Sequence, residues 1–125
     1  MTPSELQIHI GIVQLLKFTA APGVVYLHCP NGELRDKRAA AKLKAMGVRP
    51  RVADLMLLIP QGSGPAITAF MEIKRPGERL SAAQEQFRDD VQAIGCLWDV
   101  VFSIDRAADV LREWRAIRGA ASAAA

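Results

Sequence analysis

Two apolar, β-prone runs, at residues 54–59 and 66–74, flank the segment Pro60-Gln61-Gly62-Ser63-Gly64-Pro65. This arrangement constrains the fold more than any other feature of the chain. Runs of this length and composition read as strands, and the Pro/Gly cluster between them reads as the connecting loop. An antiparallel hairpin centred on Ser63 places Asp54 opposite Glu72, Met56 opposite Phe70 and Leu58 opposite Thr68. Directly opposed Cβ atoms lie about 4.5–5.5 Å apart, so two acidic side chains are brought together at the open end of the hairpin. A bulge in the glycine-rich loop would shift this register.

Two carboxylates that close repel one another unless a cation sits between them. The pairing is costly for structure and useful for binding a hard divalent ion through oxygen ligands. Lys74 shares a strand face with Glu72, whereas Ile73 points to the opposite one. The Ile73 carbonyl can add a further oxygen. A cation, an ammonium group and one aimed surface are what phosphodiester hydrolysis requires. The simpler alternative is a half-buried strand ending in an ion-paired Glu and Lys. Two more residues can join the set. Glu5, on a first helix, can supply a carboxylate or serve as the acid of a capping box begun by Thr2. Gln84 can orient the lysine or a water, or complete a capping box with Ser81.

The rest of the 125-residue chain supports one domain over residues 1–118 and a flexible Ala/Ser-rich tail over 119–125. A chain of this size buries roughly two-thirds of its unfolded surface and needs no staples. The net charge is +3, but the basic residues are clustered. Arg35, Lys37, Arg38, Lys42, Lys44, Arg49 and Arg51 stand against the single acid Asp36 in residues 35–51. Such a stretch fits a footprint on a polyanion, or a solvated helix face. Arg75 and Arg79 lie just beyond the acidic pair and are placed to hold a scissile strand.

Aromatic residues make up 6% of the chain, which argues against single-strand binding built on stacked aromatic platforms. His9 and His28 are the only histidines and Cys29 and Cys96 the only cysteines, so no zinc spacing exists. Two distant cysteines, no apolar run of about 20 residues and no basic start of a signal peptide point to a reduced, cytoplasmic protein.

The expected element order is α-β-(α)-β-β-α-β-α, a mixed sheet carrying helices. A first helix begins at Thr2-Pro3, with Leu6, Ile10, Val13 and Leu16 at helical spacing, and ends at Ala21-Pro22-Gly23. A short strand over 24–29, a turn at Pro30-Asn31-Gly32 and a helix over 36–46 follow. After the hairpin come a helix from Ser81 to about Ile94, a strand over 98–103 and a last helix capped by Asp105 and reaching about Ile117. Trp98 and residues 100–102 are placed either in the core or in a subunit interface.

The ordered series of stretches is similar to the VRR-NUC family, a branch of the PD-(D/E)XK nucleases, over nearly all of residues 5–114. The matching runs are Ser4-Glu5-Leu6-Gln7, His28-Cys29-Pro30-Asn31-Gly32, Met46-Gly47-Val48-Arg49-Pro50, Asp54-Leu55-Met56-Leu57-Leu58, Met71-Glu72-Ile73-Lys74-Arg75-Pro76-Gly77 and Leu80-Ser81-Ala82-Ala83-Gln84, then Gly95 with residues 100–103. The resemblance implies a restriction-endonuclease-like α/β fold with an α-β-β-β-α-β core and flanking helices. It implies a Mg²⁺- or Mn²⁺-dependent endodeoxyribonuclease with metal ligands at Asp54, Glu72 and Glu5, a catalytic lysine at Lys74 and a supporting glutamine at Gln84. Small members act on branched or junction DNA such as Holliday junctions, often as homodimers, and many are phage-encoded. The family usually carries Gly-x-Pro-Asp where this chain has Arg51-Val52-Ala53-Asp54, a change to the loop before the aspartate and not to a ligand. A catalytically inactive nucleic-acid-binding module of the same fold is the alternative.

Overall fold

The computed structural model describes residues 2–30 and 37–119. The expected turn at Asn31-Gly32, the basic residue Arg35 and the tail 120–125 lie outside the described residues. Eight elements follow one another: α1 (Glu5–Thr19), β1 (Val25–His28), α2 (Lys37–Ala45), β2 (Leu55–Gln61), β3 (Gly64–Ile73), α3 (Ala82–Ala93), β4 (Leu97–Val101) and α4 (Ile104–Glu113). The strands form one sheet in the order β1-β2-β3-β4, with the first three antiparallel and β4 parallel to β3. A parallel neighbour requires a crossover, and α3 supplies it. The sheet is therefore mixed, as the sequence implies, and α1, β1, β2, β3, α3 and β4 reproduce the expected core order. Here α2 is an insertion that contributes no buried residue.

The hairpin register agrees with the reading from the sequence. Leu55 pairs with Met71, Met56 with Phe70 and Leu58 with Thr68. The irregularity falls between Ile59 and Gln61, at the tip, where it leaves the pairing at the open end untouched. The connection is tighter than expected, because β2 runs through Pro60 to Gln61 and only Gly62 and Ser63 turn the chain. Gly62 takes a φ of 64°, which favours glycine. Pro60 is accommodated because it sits at the irregularity, where its missing N–H costs no regular ladder bond.

Alternation along the strands splits the core into two layers. On one face Leu55, Leu57, Ile59, Met71 and Ile73 pack against Ile8, Ile12 and Leu16 of α1 and Val110 and Leu111 of α4. On the other, Phe70 meets Phe87 and Val91 of α3, with the two phenyl rings edge to face at 5.0 Å. Trp98 packs against this second layer. Gly11 lets α1 approach α4: a Cβ there would stand closer to the Ile104 side chain than real contacts allow.

Four local expectations are corrected. The buried stripe of α1 is Ile8, Ile12 and Leu16, while Leu6 and Ile10 face solvent. This helix is apolar on most sides, so periodicity alone did not select the face. Its N-cap is Ser4, in a capping box with Gln7, and not Thr2 with Glu5. At the other end of the chain, Ser103 and not Asp105 caps α4, which shortens β4. Arg115 adopts a φ of 60° and ends α4 before Ile117, which instead bridges to Ala20.

Candidate active site

Asp54 stands one residue before β2, at the end of the sheet where β3 finishes and α1 begins. It ties three segments together. Its Oδ2 accepts the backbone N–H of Ile73 at 2.7 Å. Its backbone carbonyl accepts the N–H of Cys29 at 2.9 Å and the Nδ1–H of His28 at 2.8 Å. A carbonyl only accepts, so the His28 proton must sit on Nδ1, leaving Nε2 directed elsewhere.

Glu72 lies near the end of β3 and is 4% exposed. Its Oε1 accepts Nε2 of Gln84 at 3.1 Å. Burial pushes its carboxyl from an ordinary 4.5 up to about 9, and the charge of Asp54 and a hydrogen bond shared with Asp54 add to the rise. The two acids meet, as the hairpin register required, and the raised Glu72 carboxyl keeps its proton beside Asp54. Lys74 is half-buried, and its charge acts against the upward shifts of both Glu72 and Glu5.

Gln84 completes the capping box with Ser81, and its other contact is Glu72 rather than the lysine or water read from the sequence. Its Oε1 accepts the N–H of Ser81 in the capping box, and its Nε2 grips Glu72. A helix cap thereby becomes the support of a buried acid. Glu5 is released from capping by the Ser4–Gln7 box. Its carboxyl is raised by burial and by a hydrogen bond to Glu78, whose own carboxyl that bond lowers. Glu78 was not anticipated from the sequence. It also accepts the Arg75 N–H at 2.7 Å, which curls the Pro76-Gly77 turn toward the site.

The donor set suits a hard divalent cation. All the acidic groups are oxygen donors, and the upward shift of Glu72 beside Asp54 marks a place where a positive charge is wanted. Among the described residues no group of three His, Cys, Asp or Glu side chains is already gathered in ligating positions.

His9 was also not anticipated. It follows Glu5 by one helical turn, the spacing that places two side chains on one face and that could have drawn notice. Its ring meets that of His28 edge to face at 4.7 Å. Burial lowers its pKa, and the neighbouring His28 adds to this. The thiol of Cys29 is pushed up, first by burial and then by Asp54, and both cysteines are free.

The basic residues divide by setting. Lys37, Arg38, Lys42 and Lys44 lie on exposed α2, and Arg75 and Arg79 are exposed beside the site. Arg49 is committed within the protein: it pairs with Asp90 at 2.7 Å and lies 5.2 Å from the Phe87 ring. Arg51 has a φ of 63°, the left-handed region that favours glycine. The residue that replaces the usual family glycine thus keeps a glycine-like backbone.

The VRR-NUC domain profile matches residues 5–103. The chain belongs to the VRR-NUC family. Two solved structures share the fold. One, described as a VRR_NUC domain protein, superposes with a TM-score of 0.72 at 22% identity, over 91% of this chain and 89% of the other. A second, described as a VRR_NUC domain, gives 0.59 at 16% identity, over 89% and 97%. No curated protein matches. Membership carries a nuclease-type fold with DNA as the implied substrate. No helix among the described residues is long and apolar enough to cross a membrane.

Proposed function

We propose that this VRR-NUC protein is a Mg²⁺- or Mn²⁺-dependent endonuclease that hydrolyses phosphodiester bonds in branched DNA such as Holliday junctions. The observation that carries the reading is the buried carboxyl of Glu72, held by Gln84 and set against the half-buried Asp54, with Lys74 two residues further along the same strand. A structural protein gains nothing from keeping two acids in contact at the end of a sheet, whereas a cation site needs them there. Asp54 and Glu72 would hold the ion, with Glu5 and the Ile73 carbonyl as further oxygens. When bound, the cation supplies positive charge to the phosphate and a more acidic water.

The chain's own residues do the rest. The Ile73 N–H fixes the rotamer of Asp54, and Gln84 fixes Glu72. Lys74 presents its ammonium to the phosphate oxygens, where negative charge builds as the phosphorane forms, or to the attacking water. Donors of this kind contribute on the order of 10²–10³ in rate. Lys37, Arg38, Lys42, Lys44, Arg75 and Arg79 contact phosphates, so affinity falls with salt and carries little base identity. A domain of this size covers little DNA, and a symmetric homodimer would match a two-fold junction.

Wild type, Asp54→Ala and Lys74→Ala are to be incubated with labelled Holliday junction and duplex, with and without Mn²⁺. Cation-dependent cutting of the junction that disappears in both variants is expected. Junction binding by wild type without any cutting would instead identify an inactive binding module.

A further inference from the structure

We propose that the recess between α1 and the start of β2 receives an unstacked nucleobase adjoining the scissile phosphate, a subsite that rests on the nuclease reading above. The recess measures about 460 Å³ and opens directly beside Asp54 and Glu5. That volume lies within the range of small-molecule sites, roughly 300–1,000 Å³. Its walls are Leu6, Ile10 and the paired rings of His9 and His28.

Three observations select the occupant. Leu6 is 67% exposed and Ile10 49% exposed, although α1 has a separate buried stripe, so these apolar side chains cover nothing within the described chain. Glu5 and Asp54 in its lining disfavour another phosphate and tolerate an uncharged, flat group. The recess is continuous with the site at which the reacting phosphate would be held, so its nearest available occupant is the nucleotide next to that phosphate. His28, fixed through Nδ1 to Asp54, leaves Nε2 free of that bond to meet a base edge. Histidine rings and aliphatic walls here replace the aromatic platforms that the composition excludes.

A base paired within a duplex cannot enter. Extruding one costs a few kcal/mol, least where it is already unpaired. The recess therefore selects for nucleotides splayed at a branch point, giving the protein structural preference without base readout.

The test uses a Holliday junction in which each nucleotide flanking the mapped cut is replaced in turn by an abasic site. For wild type with Mn²⁺, one abasic position should lower kcat/KM about tenfold, the scale of one lost stacking contact. The Leu6→Ser/Ile10→Ser variant should lose the same factor on the intact junction and nothing more on the abasic one. Both positions face solvent, and Leu6→Ser alone serves if the double variant loses its helical signal. Equal cutting of intact and abasic junctions by wild type, or discrimination undiminished in the variant, overturns the subsite while leaving the nuclease reading intact. If wild type cuts no substrate, the nuclease reading fails and binding decides the subsite. A junction carrying 2-aminopurine at the branch, titrated in Ca²⁺, should change emission with wild type and not with the variant; no change with wild type overturns it.

Discussion

Replacing Glu72 by glutamine is expected to stabilise the cation-free protein at neutral pH while abolishing cleavage. The folded carboxyl sits at about 9 against 4.5 when unfolded. Between those values the native state keeps a proton that the unfolded chain releases. The stability this proton confers is fully present below pH 4.5 and is lost as pH rises toward 9, by about 1.4 kcal/mol per unit. At pH 7 the loss amounts to about 3 kcal/mol. Glutamine has the same shape, never ionises, still accepts from Gln84 and can donate to Asp54. The assay is urea unfolding in EDTA, followed by the fluorescence of Trp98 and Trp114, at pH 5, 7 and 8. The wild-type midpoint should fall across this series and the variant's should not. At pH 7 the variant's midpoint should be higher by about 1–3 M if the slope is unchanged. With Mn²⁺ the order should reverse, since only wild type can exchange the proton for the cation. Parallel pH profiles for the two proteins, or a variant less stable at pH 7, would refute the argument that burial and Asp54 keep Glu72 protonated.

Three further outcomes are expected. Mn²⁺ binding should strengthen as pH rises from 5 toward 9 and should release a proton, because Glu72 must ionise to serve as ligand; calorimetry in two buffers of different ionisation enthalpy measures the release, and none would contradict the proton on Glu72. Arg51→Gly should raise stability by about 1 kcal/mol in thermal unfolding, by relieving the left-handed backbone of a residue with a Cβ. Ser81→Ala and Gln84→Ala should each cost about 1 kcal/mol through the shared capping box, but only Gln84→Ala should also lower kcat, because it alone frees Glu72.

Much of the site was legible before the fold. Centring the hairpin on Ser63, midway between the two apolar runs, defined the register that placed Asp54 opposite Glu72. The bulge that could have displaced it fell at the hairpin tip. Gln84 was recognisable as a capping residue, because the capping-box pattern is local, whereas its grip on Glu72 in place of the lysine or a water was not. What escaped was whatever depended on partners distant in the chain. Leu6 and Ile10 have the same spacing as Ile8 and Ile12, and only the docking of α4 and the sheet decides which pair is buried. Glu78 and His9 gain meaning only because a turn and a helix meet at the end of β3.

The division follows from the range of the forces. Backbone geometry and capping are settled within a few residues, so the strands, the helices and the pairing of the two acids belong to the sequence itself. Desolvation and charge coupling act across elements. Only the packed tertiary structure could raise Glu72 to about 9, turn Glu5 toward Glu78, and leave an apolar recess open beside the acids.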